Sequence, residues 1–310
     1  MLFSEKICQE TELTKNQLHL FAKNSPRKYR VYSIPKRTSG FRTIAHPSKK
    51  LKKIQRVCLE MLEECLPIHN SAFAYRKKIS IKDNASMHKK NDYILKMDFQ
   101  NFFNSITPSV FWDKIDSLNI SIVKKEMALL EKLFFWQPSR ELTGKLLLSV
   151  GAPTSPVISN FVAYDFDCAI SEWCLIHSIT YTRYADDLTF STLNKGILFK
   201  VPRVVNVLLK AHLAGVTVNE LKTKFSSKKH NRHVTGVTIT NDERLSLGRQ
   251  RKRFLSHMIH QYSLGRLDPQ DVLSLRGYIH YAEFIENGFI ERMKKKYSAV
   301  LLENLLEVDK

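Results

Sequence analysis

Tyr184-Ala185-Asp186-Asp187 sets the tightest constraint on how this chain can fold. Polar and apolar residues alternate on both sides of it, over 179–184 and again over 188–193. Period-2 alternation around a short polar break predicts a β-hairpin with two carboxylates at its apex. Adjacent acids repel each other, so the arrangement costs stability unless a cation lies between them. Hard oxygen ligands at close quarters suit Mg²⁺, which takes one or two carboxylates together with substrate phosphates. An ordinary acidic turn is the simpler alternative, because Asp is common in turns.

A third carboxylate belongs with the pair. Asp98 ends the apolar run Tyr93-Ile-Leu-Lys-Met-Asp98, which reads as a buried central strand. A strand-end acid beside a hairpin carrying two more could hold two metal ions. One ion would activate a 3′-hydroxyl and the other would steady a leaving pyrophosphate, as two-metal phosphoryl transfer requires. Asp98 could otherwise cap the helix that follows it.

Composition agrees with a polyanionic partner. The formal charge is +19 over 310 residues, and 43% of the chain is hydrophobic, enough for a sizeable core. No apolar run approaches the length of a membrane span, and the opening Met-Leu-Phe-Ser-Glu-Lys turns polar at once, so neither a membrane nor a secretory signal is expected. Five cysteines without Cys-x-x-Cys spacing predict free thiols and a reducing cytoplasm. The charge is unevenly placed: no acid occurs between Glu12 and Glu60. Inside that span, Ile34 to Ile44 reads as a basic hairpin with a Ser39-Gly40 turn. Ser48 then caps a helix with the apolar stripe Leu51, Ile54, Cys58, Met61, Leu62 and Cys65, its lysines and Arg56 lying elsewhere.

Several motifs fall in the order of the palm motifs of reverse transcriptases. They are Leu95-Lys-Met-Asp98 with Phe103, Gly151-Ala-Pro-Thr-Ser-Pro156 with Asn160, Tyr184-Ala-Asp-Asp187, and Asn219-Glu-Leu-Lys222-Thr223. Two further patches, Asn84-Ala-Ser-Met-His88 and Val234-Thr235-Gly236, resemble elements of retron reverse transcriptases in particular. The resemblance runs from about Tyr29 to Tyr281. It implies an α+β right-hand polymerase, with fingers over 1–94 and part of 108–149, a palm over 95–107 and 150–243, and a three-helix thumb over 244–310. It implies two Mg²⁺ ions held by Asp98, Phe99, Asp186 and Asp187, and deoxynucleoside triphosphates as substrates. Lys36 and Arg42 would grip the triphosphate, and Phe103 would lie under its sugar and exclude a 2′-hydroxyl. Gly151 and Ala152 would lie beneath the template–nucleotide pair. Lys222 would protonate the pyrophosphate, with Lys224 as a rival. Asn84, His88, Val234, Thr235 and Gly236 would recognise RNA, and Leu247 with Gly248 would form the primer grip.

One position departs from the family. Its common Pro-Gln-Gly is here Ser149-Val150-Gly151, so the glutamine that would contact the nucleotide is missing. The family also implies a cognate noncoding RNA serving as template and primer. A 2′-hydroxyl of that RNA would prime synthesis, leaving a branched RNA–DNA hybrid used with effector proteins in antiphage defence. An RNA polymerase with a related palm is opposed by Phe103, and an RNA scaffold with a dead site is opposed by the three carboxylates.

Overall fold

The computed structural model describes residues 2–36, 40–139 and 144–307. It opens with helices α1 (Phe3–Thr11) and α2 (Lys15–Lys23) and the antiparallel hairpin β1 (Tyr29–Pro35) and β2 (Phe41–Pro47). Of the expected Ser39-Gly40 turn, Ser39 lies outside the described residues, and Gly40 has a φ of +78°. Next comes α3 (Lys49–Cys65), where the Ser48 hydroxyl accepts from the Leu51 N–H at 3.4 Å, as the capping pattern predicts. Leu51, Ile54, Cys58 and Leu62 are fully buried, so most of the expected stripe turns inward, but Met61 is half-buried and Cys65 at the helix end is exposed.

Helix α4 (Ile81–His88) precedes the central strand β3 (Tyr93–Gln100). The helices α5 (Phe102–Ser105), α6 (Pro108–Ser117), α7 (Lys124–Phe134), α8 (Ser155–Val162) and α9 (Tyr164–Ile176) then lead to the hairpin β4 (Thr180–Tyr184) and β5 (Asp187–Thr192). After α10 (Val201–His212) come the short strands β6 (Thr217–Val218) and β7 (Lys224–Ser227). All pairings in the main sheet are antiparallel, in the order β4-β5-β3, with β6 and β7 sharing the far side of β3.

Partners directly opposite in a sheet share a face, and neighbours along a strand alternate. One face of β3 carries Leu95, Met97 and Phe99 into the larger core, which also receives α1, α2, α3 and α6 to α10. The other face carries Ile94, Lys96 and Asp98. Ile94 belongs to a second core together with Ala85 of α4, a small sheet and the C-terminal helices. That sheet is β8 (Arg232–Val234), β9 (Val237–Ile239) and β10 (Leu245–Ser246). The C-terminal helices are α11 (Arg249–Ser263), α12 (Pro269–Ile285), α13 (Phe289–Lys296) and α14 (Ala299–Leu306).

The third helical stretch of the expected thumb is thus interrupted. Ser298 is extended, and its hydroxyl caps a new helix by accepting from the Leu301 N–H. All five cysteines are free. Among the described residues no helix is long and apolar enough to cross a membrane.

Candidate active site

Strand register gathers the carboxylates. Asp98 of β3 lies directly opposite Asp187 of β5, and the Phe99 N–H donates to the Asp186 carbonyl at 2.9 Å. Ala185 and Asp186 form the two-residue turn between the paired residues Tyr184 and Asp187. Carboxylate oxygens of Asp98, Asp186 and Asp187 all lie within 4.8 Å of one another. Loss of solvent and the charges of Asp186 and Asp98 push Asp187 up to about 6. Asp186 is raised as well, by its burial and by Asp98. An acid held above its unfolded value binds protons more tightly when folded, so Asp187 removes stability as pH rises from about 4 to about 6. Three hard oxygen donors held this close are the donor set a divalent cation fits. An ammonium partly fills that role: Lys222 Nζ lies 2.7 and 2.9 Å from the two oxygens of Asp98. Lys224 instead sits opposite Lys96, nearer the start of β3.

The turn is strained and is held from beneath. Ala185 has a φ of +57°, which costs a non-glycine residue roughly 1–2 kcal/mol. Its carbonyl accepts from Arg183 Nη1 at 3.1 Å. Arg183 is fully buried, and its Nε donates to both oxygens of Asp167 on α9, at 2.9 and 3.1 Å. A third bond to Asp167 runs from Arg183 Nη2 to Oδ2, and Nη1 also reaches Asn160 Oδ1 at 3.1 Å. Tyr181 donates to the same Asp167 at 2.8 Å, and Asn160 donates onward to the Ala74 carbonyl at 2.9 Å. Asp167 was not expected as a functional residue. An acid set among the apolar residues of a helix was its only signal in the sequence.

A cleft of about 740 Å³ opens in front of Asp98 and Asp186. Lys36, Arg42, Lys52, Arg56 and Lys222 line it, together with Tyr75, Phe103, Val150, Gly151 and Ala152. Phe103 is half-buried, its ring edge-on to Tyr75 with centroids 6.3 Å apart. Gly151 has a φ of +131°, and a Cβ there would lie 3.0 Å from the Ala45 carbonyl. Only glycine lets this loop approach β2 so closely, where the Ala45 N–H donates to the Val150 carbonyl at 3.0 Å. Phe99, named with the metal set, turns its side chain into the core.

The patches expected to recognise RNA meet each other, largely in the interior. Asn84, His88 and Val234 are fully buried, so their side chains present no surface to RNA. His88 instead bridges the β4–β5 hairpin, with Nδ1 2.7 Å from Ser191 Oγ and Nε2 2.7 Å from Thr182 Oγ1. Burial pushes it down to about 3, which keeps it neutral. Asn84 Nδ2 donates to Thr235 Oγ1 at 3.4 Å, joining α4 to the β8–β9 turn. Thr235 and Gly236 form that turn, at φ +46° and +81°, and Gly236 is exposed. Of the expected primer grip, Leu247 is buried in the second core, while Gly248 lies beside a basic depression lined by Arg249, Lys252, Arg253 and Lys296.

Comparison with known proteins agrees with this geometry. The family described as reverse transcriptase (RNA-dependent DNA polymerase) matches residues 34–239. The retron Ec83 reverse transcriptase of Escherichia coli is 43% identical over 278 residues, 89% of each chain. The retron Ec73 reverse transcriptase of Escherichia coli is 33% identical over 288 residues, 88% of each chain. Among solved structures, telomerase from Candida albicans, in complex with a fragment of telomeric RNA, superposes with a TM-score of 0.51 at 14% identity. That match covers 91% of this chain and 61% of the telomerase, so the chain spans about three fifths of its length. At that identity the likeness is one of fold, the α+β polymerase architecture.

Two substitutions test the supports of the hairpin. Asp167→Asn leaves the buried Arg183 without its counter-charge, and unfolding by urea is expected to show a loss of about 3–5 kcal/mol. A loss below about 1 kcal/mol, the scale of an exposed pair, would contradict that support. His88→Ala leaves hydroxyls of β4 and β5 short of a partner, at about 1–3 kcal/mol. Because His88 is interior, extension of a generic primer and synthesis on a cognate RNA are expected to fall together. Selective loss on the cognate RNA would restore a recognition role.

Proposed function

The chain belongs to the reverse transcriptases, on the retron branch of that family, and we propose that it copies a structured noncoding RNA into single-stranded DNA from a 2′-hydroxyl of the same RNA. The gathering of Asp98, Asp186 and Asp187 at the mouth of a basic cleft carries this reading. Two Mg²⁺ ions held there would supply Lewis-acid chemistry, making the attacking hydroxyl acidic and neutralising charge on the leaving pyrophosphate. Asp98, Asp186 and Asp187 are the residues to hold them. The product would be a branched RNA–DNA hybrid, used in antiphage defence beside effector proteins; these finer points rest on family membership. Fingers over 1–94 and part of 108–149, a palm over 95–107 and 150–243 and a thumb over 244–310 remain the proposed division.

This chain's own residues divide the remaining work. Arg42 can grip phosphate oxygens in a fork, and Lys36, one residue past the end of β1, adds a point charge. Phe103, braced by Tyr75, would close the floor under the sugar and leave no room for a 2′-hydroxyl. Gly151 and Ala152 allow the base pair to lie close on their backbone. Lys222 is the better proton donor, since a general acid is chosen by reach before pKa and its Nζ already lies at Asp98. With Asp98 engaged in holding a cation, Lys222 Nζ would be free to face the pyrophosphate.

Primer extension on an RNA template tests the assignment. Asp186→Asn is expected to lower synthesis by several orders of magnitude. In the same assay Lys222→Ala is expected to cost on the order of 10²-fold and Lys224→Ala little. Near-normal extension by Asp186→Asn would sink the proposed site, and equal effects at the two lysines would remove Lys222 from its role. Phe103→Ala is expected to raise ribonucleotide incorporation when ribo- and deoxynucleotides compete. Unchanged discrimination would make Phe103 a packing residue only.

A further inference from the structure

A second aromatic and basic surface lies away from the cleft. Phe199, on the short turn Ile197–Lys200, is 71% exposed, and Phe225 of β7 is 40% exposed. Their rings touch, with centroids 4.9 Å apart and planes inclined at 39°. A slot of about 190 Å³ opens beside them, floored by Tyr93, Ile94 and Leu198. It shares no lining residue with the catalytic cleft. Phe225 lies opposite Leu95, so it falls on the sheet face away from Asp98, at an edge strand.

The charge around this slot is one-sided. From Leu193 to His230 the chain has eight lysines and arginines and one acid, Glu220; of the eight, Lys222 lines the catalytic cleft and Lys224 sits opposite Lys96 on the other face. Lys195 adjoins Gly196 of the slot, Lys200 follows Phe199, and Lys229 precedes His230 at its rim. All three are exposed, and none forms an ion pair among the described residues, whereas nearby Lys228 is paired with Asp92. Two large rings part-exposed to water forgo apolar burial that would otherwise favour the fold. Aromatic residues are enriched where proteins meet, but lysine is depleted there. Exposed rings interleaved with unpaired lysines are instead the composition of a single-stranded nucleic-acid platform. Bases inside an A-form duplex cannot be reached in this way, so the strand must be unpaired.

We propose that Phe199 and Phe225 form a stacking platform for an unpaired base of RNA, with Lys195, Lys200 and Lys229 on the flanking phosphates. This surface would hold a loop of the template RNA outside the cleft while another part of that RNA is copied. The proposal rests on the RNA-copying reading above, which primer extension by the unaltered protein tests separately.

The experiment uses the full chain with an RNA–DNA primer–template already bound in its cleft. A short unstructured RNA carrying a fluorescent purine analogue is then titrated in. Stacking is expected to quench the analogue. Phe199→Leu with Phe225→Leu keeps apolar bulk but removes the ring faces. This variant should lose the quench and bind about tenfold or more weakly, the scale of aromatic stacking, while its extension of the bound primer stays unchanged. Lys195→Gln with Lys200→Gln should keep the quench at low salt. The slope of log affinity against log salt should fall by about 0.7 for each phosphate that no longer meets a lysine. Wild-type quench and affinity in the double leucine variant would overturn the proposal and leave this face to a protein partner. Equal competition by blunt RNA duplex would overturn it as well.

Discussion

Register between β3 and β5 is the constraint on which the rest of the site depends. A slip of one residue would turn Asp98 to the opposite face from Asp187 and would send Lys96 into the apolar core. The slip is prevented by what each face buries. Leu95, Met97 and Phe99 pack with the helices on one side, and Ile94 packs against α4 and the C-terminal core on the other. A strand apolar on both faces can hold one acid only where its side chain emerges at the sheet's end.

The hairpin bearing the other two acids is clamped from both faces. Arg183 and Asp167 hold it from the helix side and His88 from the side of α4. The two clamps differ in kind. A buried ion pair contributes little net stability, because desolvating the charges offsets their attraction, yet losing one partner is costly. Such a pair suits a strained turn, since it fixes one geometry and penalises all others. His88 is neutral, so its two short hydrogen bonds do not depend on pH near neutrality. What remains unbalanced is the carboxylate cluster itself, where among the described residues only Lys222 forms an ion pair while Lys96 and Arg42 act from farther off.

Most of this was legible from local pattern. Alternation marked the β4–β5 hairpin, the apolar run marked β3, and Ser48 marked the start of α3. Residue order supplied the active-site set through family resemblance. Other features were illegible for stated reasons. Family resemblance set Asn84 and His88 among residues that recognise RNA; only the docking of α4 on the sheet shows that their hydrogen bonds are made inside the protein. Asp167 pairs with a residue 16 positions away on another element, and no periodicity reports such a pair. The break at Tyr297–Ser298 hid because apolar spacing continues across it while the cap lies in a single hydroxyl.

Register between β3 and β5 would bring three carboxylates together to hold two cations at once. Electron paramagnetic resonance with Mn²⁺ in place of Mg²⁺, on the protein bound to primer–template and a non-hydrolysable deoxynucleotide, tests it most directly. Two ions about 4 Å apart, the spacing of two-metal sites, give an exchange-coupled spectrum. The account requires that spectrum in the unaltered protein and its loss in Asp98→Asn. A spectrum of isolated ions in the unaltered protein, or a coupled pair that survives Asp98→Asn, would contradict it.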